Sequence, residues 1–242
     1  MISERQLSRQ NRFWWSRWTP GLDERWLATM LAGRGGTVGR ISHWASPLTT
    51  SLPPRDSDLV AETAFGLFTL AWHAGTTTSS LSSEQVYAAV GQAVGRIMLL
   101  RGTGHDLNGV MTPAHVAFAT TLSNRLLDWA ASRIGPLEVQ PRLPGTGIID
   151  SCHPDLIAGT ELIEVKMART RFRIADIRQA LIYSALAWLG TERHFEHITL
   201  TNPMLGIAWT FNLVELIREV SGTSSAKFYD VFDRMSRGDG VD

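Results

Sequence analysis

The run Pro154-Asp155-Leu156-Ile157-Ala158-Gly159-Thr160-Glu161-Leu162-Ile163-Glu164-Val165-Lys166 constrains the fold more than any other stretch of this chain. Two apolar segments flank Gly159-Thr160, the pattern of a β-hairpin closed by a two-residue turn. With that turn, Ala158 faces Glu161, Ile157 faces Leu162, Leu156 faces Ile163, and Asp155 falls opposite Glu164. Directly paired residues share a sheet face, with Cβ atoms about 4.5–5.5 Å apart. Strand alternation returns Lys166 to the same face and sends Leu156, Ile163 and Val165 to the other, apolar one. Two carboxylates this close repel each other unless a cation sits between them. A hard, oxygen-loving ion such as Mg²⁺ or Mn²⁺, completing its shell with water, suits that pair.

Lys166 is itself unusual. Of the 23 basic residues only Lys166 and Lys227 are lysine, the rest being arginine. Where a plain positive charge suffices, this chain uses arginine, so a retained lysine marks a place where a compact ammonium matters. A helix follows at once over Ile174–Trp188, with Gln179 and Tyr183 four residues apart and therefore on one face.

Pro154-Asp155, Glu164-Val165-Lys166 and the Gln179/Tyr183 helix together resemble the PD-(D/E)XK nuclease superfamily, most closely the branch with RecB-type and Cas4-type nuclease domains. The resemblance covers roughly residues 115–211. It implies a restriction-endonuclease-like α/β (α+β) core, a mixed sheet flanked by helices. It also implies that Asp155, Glu164 and the backbone carbonyl of Val165 bind Mg²⁺ or Mn²⁺, and that Lys166 positions or deprotonates the attacking water and stabilises the phosphorane. Gln179 and Tyr183 would then brace the site or touch the substrate backbone. Relatives with an iron–sulfur cluster need four cysteines, and this chain has only Cys152. The branch also places its first metal-binding aspartate in a G-h-h-D pattern, which Gly147-Ile148-Ile149-Asp150 fits, so Asp150 is the alternative to Asp155. A helical glutamate often completes such sites, and Glu62 or Glu84 could serve.

The implied activity is Mg²⁺-dependent hydrolysis of DNA, with RNA as the alternative substrate, in prokaryotic antiviral defence or DNA repair. The rival expectation is a catalytically silent nucleic-acid-binding or interaction subunit of a multi-protein defence complex. A net charge of zero argues against nonspecific coating of nucleic acid. Arg169, Arg171, Arg173 and Arg178 nevertheless cluster beside Lys166 and suit a phosphate backbone. A single cysteine excludes a disulfide framework, the N-terminus lacks an apolar leader, and no stretch reaches a membrane span of about 18 apolar residues. A soluble, cytoplasmic protein is expected.

The pattern divides the chain into a helical N-terminal region, 1–110, and a nuclease core, 111–242. Helices are expected over 57–73, 82–100, 113–134, 174–189, 212–220 and 225–236, and strands near 137–141, 147–157, 161–167, 196–201 and 206–211. Phe13-Trp14-Trp15-Ser16-Arg17-Trp18, with Arg5, Arg9 and Arg12 nearby, can fill a core, dock a protein partner or stack on unpaired bases. Of the surface roles a protein partner is favoured. Gly33-Arg34-Gly35-Gly36 reads as a turn. His105, His115, His194 and His197 lack paired-ligand spacing, whereas His153, two residues before Asp155, shares its strand face and suits an outer position at the site.

Overall fold

The computed structural model describes residues 1–10, 12–34, 38–101 and 111–238. His105 and the Gly35-Gly36 part of the expected turn lie outside the described residues. The chain begins with α1 (Glu4–Gln10), α2 (Arg12–Trp18) and α3 (Glu24–Thr29), then enters β1 (Gly39–His43). Next come α4 (Ser57–His73), α5 (Ser83–Arg101) and α6 (Pro113–Ala131). The hairpin region follows as β2 (Leu137–Val139), β3 (Leu156–Ala158) and β4 (Glu161–Val165). Helix α7 (Ile174–Thr191), β5 (His197–Asn202), β6 (Ile207–Asn212), α8 (Leu213–Ser221) and α9 (Ser225–Arg237) complete it.

The strands form one mixed sheet in the order β1-β6-β5-β4-β3-β2. Every neighbouring pair is antiparallel except β4 and β5. A parallel pair needs a crossover connection, and α7 supplies it. Period-2 alternation sends Leu156, Ala158 and Ile163 to one face, where they pack with Val60, Phe65 and Phe68 of α4 and Leu122, Leu126 and Trp129 of α6. Ile157 and Leu162 go to the other face, against Ile177 and Leu181 of α7. Both faces of the central strands are thus covered by helices.

The hairpin register is the one the sequence dictates: Leu156 pairs with Ile163, Ile157 with Leu162 and Ala158 with Glu161. Gly159 takes the positive φ of 56° that the tight turn demands. The expected helices are present with boundaries shifted by up to three residues, α6 stopping at Ala131 instead of 134.

Three expectations need correction. The strand expected over 147–157 is confined to Leu156–Ala158. The residues before it instead form turns and single bridges, Leu143 with Cys152 and Thr146 with Ile149. The cause is partly local and partly tertiary: Gly147 sits at φ 52° and Pro154 lacks a ladder donor, while a Cβ on Gly147 would collide with the backbone of Ser236 in α9.

The boundary near residue 110 does not separate two cores. β1 is an edge strand of the same sheet, paired with β6, and α4 shares a core with β3 and β4. β1 is short and mostly exposed, so it carries little hydrophobic signal.

The tryptophan cluster is interior and offers neither a docking face nor a base-stacking platform. Trp14, Trp15 and Trp18 are buried. Trp18 stacks on Phe228 of α9 at 4.5 Å and donates from Nε1 to the Phe228 carbonyl at 3.0 Å. The apolar face of α9, Phe228, Phe232 and Met235, needed a cover, and α2 provides it. Among the described residues no helix is long and apolar enough to cross a membrane.

Candidate active site

The end of the hairpin and one face of α7 build a single hydrogen-bonded cluster. Beyond the Leu156–Ile163 pair, Asp155 Oδ2 accepts from the Val165 backbone N–H at 2.8 Å, which ties the two strands where the ladder stops. The Lys166 N–H donates to the Thr201 carbonyl at 2.7 Å, fixing the chain to β5. Alternation turns Glu164 and Lys166 toward α7. There Lys166 Nζ donates to Glu164 Oε1 at 2.8 Å and to Gln179 Oε1 at 3.0 Å, and lies 3.3 Å from Asp176 Oδ1. Gln179 Nε2 donates to the Tyr183 hydroxyl at 2.7 Å, as expected of two residues one helical turn apart.

Glu164, Gln179 and Tyr183 are buried, Asp155, Lys166 and Asp176 half-buried, and the cluster is electrostatically tense. Glu164 is 3% exposed, and among the described residues its second oxygen, Oε2, has no hydrogen-bond partner. Burial and then Glu164 push the Asp155 carboxyl well above its usual range, against the pull of Lys166, the Val165 N–H and Arg5. Burial raises Glu164 as well, with Lys166 and Arg5 opposing. Burial disfavours the Lys166 ammonium, but Glu164, Asp176 and Asp155 outweigh it and drive its pKa up. The Lys166 ammonium is thus held as a charged donor by the carboxylates around it. Burial and the surrounding carboxylates also raise Tyr183, which stays a neutral phenol.

Asp155, Glu164, Lys166, Gln179 and Tyr183 are thus brought together. Asp150 is not in this network: its backbone N–H donates to the Ile2 carbonyl at 3.1 Å, on the segment ahead of the hairpin. His153 is exposed, its Nδ1 lying 3.0 Å from the Gln140 carbonyl. Gln140 in turn donates its N–H to the Asp155 carbonyl at 2.9 Å and holds a left-handed φ of 50°, a strained backbone beside the site. Of the helical glutamates, Glu84 is exposed in the first turn of α5. Glu62 of α4 pairs with Arg96 at 3.4 Å in a groove whose wall includes Gln140, and its charge acts on Arg5. His115 is buried between Thr112 and Asp56, where it completes the N-terminal cap of α6. His194 packs edge-on to Trp188 at 4.2 Å.

The arginines divide. The guanidinium of Arg178 lies over the Trp15 ring at 4.7 Å and donates to the Leu22 carbonyl at 3.4 Å, so it serves the fold. Arg169 is exposed but donates to the Leu52 carbonyl. Arg171 and Arg173 are exposed near the start of α7.

Three residues escaped the sequence reading. Asp176 is the third residue of α7 and accepts from the Arg173 N–H at 2.8 Å while meeting Lys166, so an acid at a helix start was the available signal. Glu4 and Arg5 come from α1. The Tyr183 hydroxyl donates to Glu4 Oε1 at 3.4 Å, and Arg5 Nε lies 3.7 Å from the same oxygen. Burial opposes the charge of Arg5, but Glu164, Tyr183, Asp155 and Glu62 outweigh it and push its pKa up.

Among the described residues no group of three or more His, Cys, Asp or Glu side chains gathers as a metal site. A cation here would rest on Asp155, Glu164 and the Val165 carbonyl. The donor set fits a hard ion: it is all oxygen, and Glu164 Oε2 is a buried carboxylate atom that no described residue satisfies. No family model, curated protein or solved structure matches the chain.

Proposed function

We propose that this protein is a Mg²⁺-dependent nuclease that hydrolyses phosphodiester bonds of DNA on a PD-(D/E)XK-type core. The observation that carries the reading is the partnerless, buried Oε2 of Glu164 beside Asp155, with the charged Lys166 two residues on. Burial raises both carboxyls, Glu164 raises Asp155 further and Asp176 raises Glu164, so a cation that neutralises the pair is favoured there.

Asp155, Glu164 and the Val165 carbonyl would hold the ion. When bound, it supplies Lewis-acid neutralisation of phosphate charge and acidifies water. Lys166, held protonated, donates hydrogen bonds to the attacking water or to a phosphoryl oxygen as negative charge builds there. Gln179 fixes Lys166, and Tyr183 fixes Gln179. Water adds to phosphorus as the bond to the leaving oxygen breaks, and the proton that the attacking water gives up ends, through solvent, on that oxygen. Arg171 and Arg173 extend the positive surface for the nucleic acid backbone. A role in prokaryotic defence or DNA repair follows from the same resemblance.

Plasmid incubated with the full chain in Mg²⁺ and in EDTA tests this, with Asp155→Asn as the control. Nicking or linearisation in Mg²⁺ alone, absent from the variant, supports it. DNA retained but uncut moves the assignment to the silent binding module, and RNA cut in preference to DNA corrects the substrate.

A further inference from the structure

We infer that Arg5 grips a non-bridging oxygen of the scissile phosphodiester, presented beside the carboxylate pair by a Glu4–Tyr183–Gln179 hydrogen-bond chain; this rests on the nuclease reading above. The N-terminal segment is held down along its length. The Ile2 N–H donates to the Ile148 carbonyl at 2.7 Å and the Ile2 carbonyl accepts from the Asp150 N–H. Leu7 is buried, and its carbonyl accepts from Trp15 Nε1 at 2.9 Å. Between these two attachments stand Glu4 and Arg5.

Glu4 faces inward, its side chain 13% exposed and its Oε1 joined to the Tyr183 hydroxyl. That hydroxyl is linked through Gln179 to Lys166 and so to Glu164. Arg5 keeps 46% of its side chain accessible. Among the described residues its guanidinium makes no hydrogen bond and has only the 3.7 Å approach of Nε to Glu4. The contrast with Arg178 and Arg169, both donating to backbone carbonyls, is direct. An arginine fork with free donors, on a tethered backbone, with its charge reaching both Asp155 and Glu164, is matched to a phosphate. A lysine would supply the charge without the two-pronged geometry.

The test compares the full chain with Arg5→Gln and Arg5→Lys. End-labelled duplex DNA is bound in Ca²⁺ across a salt series and cleaved in Mg²⁺ under single-turnover conditions, and melting is followed with and without Mg²⁺. Arg5→Gln is expected to lose roughly a hundredfold in rate at saturating DNA, as for removal of one transition-state donor. Its log–log salt slope for binding should fall by about one phosphate contact, roughly 0.9. The variant should still fold and still be stabilised by Mg²⁺, and Arg5→Lys should keep the salt slope while losing rate. A parent that cleaves alongside an Arg5→Gln that cleaves equally well overturns this inference and leaves the nuclease reading intact. A lowered melting temperature with an unchanged salt slope makes Arg5 merely structural. If the parent binds without cutting, the nuclease reading fails and this inference fails with it, whatever the salt slope. A parent that neither binds nor cuts removes both.

Discussion

Replacing Lys166 by methionine keeps the volume of the side-chain stem and removes only the ammonium. In the parent that ammonium meets Glu164 at 2.8 Å, Gln179 at 3.0 Å and Asp176 at 3.3 Å, and its side chain is 24% exposed. Breaking a buried pair by deleting one partner costs about 3–5 kcal/mol. Because Lys166 is partly reached by water and Asp176 can hydrate, the lower end applies, about 3 kcal/mol, or roughly 6–12 °C in melting temperature for a chain this size. The loss depends on pH. Burial already raises Glu164 and Lys166 pulls it back, so without Lys166 its pKa climbs further. A carboxyl whose folded pKa exceeds its unfolded one contributes stability below the unfolded pKa and loses it as pH rises through the folded value. The pKa of Lys166 is itself raised, so its own contribution holds throughout the acid and neutral range. The deficit of the variant should therefore be full at pH 7.5 and shrink by pH 5. Urea denaturation in EDTA at both pH values measures it. Equal midpoints for parent and variant at pH 7.5, or a deficit that grows on acidification, would refute the picture of Glu164 as a buried charge held by Lys166.

Further outcomes follow from the same contacts. Lys166→Arg retains charge but places a planar guanidinium where three groups converge on one nitrogen. Cleavage should fall on the order of a hundredfold, as for a displacement of about 1 Å, while Lys227→Arg, at the exposed start of α9, cuts like the parent. Asp155→Asn keeps an acceptor for the Val165 N–H and removes a carboxylate whose ionisation the fold opposes, since its pKa is raised. In EDTA it should melt at or above the parent, by a margin that widens with pH, and Mg²⁺ should raise the melting temperature of the parent only. Trp18→Ala empties a fully buried position against Phe228 and should cost about 3–5 kcal/mol in urea denaturation. A neutral result would return the tryptophans to the surface.

What could be read from the letters was what local chemistry determines. A glycine forced to positive φ and strict alternation around it fix the register from Leu156 to Ile163, and the register fixes which face Glu164 takes. The four-residue spacing of Gln179 and Tyr183 is equally local: Gln179 meets Lys166 at the end of the hairpin and Tyr183 meets Gln179. The overreach at 147–157 came from apolar Ile148-Ile149, whose β propensity is overridden by the close packing of Gly147 against α9. Glu4 and Arg5 were invisible because their place depends on Ile2 bridging Ile149 across most of the chain, a pairing without any periodic signature. The tryptophans read as surface or core equally well until α9 was seen to need a cover. Asp176 was within reach, since an acid in the first turn of a helix that follows the hairpin lies close to the lysine that ends it.

The central claim is that Asp155 and Glu164 share a divalent cation, and crystals grown in Mn²⁺ address it by anomalous scattering. The account predicts one strong peak in contact with carboxylate oxygens of both residues and the Val165 carbonyl, lost in Glu164→Gln while the fold persists. Absence of density there at saturating Mn²⁺, or a peak held by Asp150 instead, would contradict it.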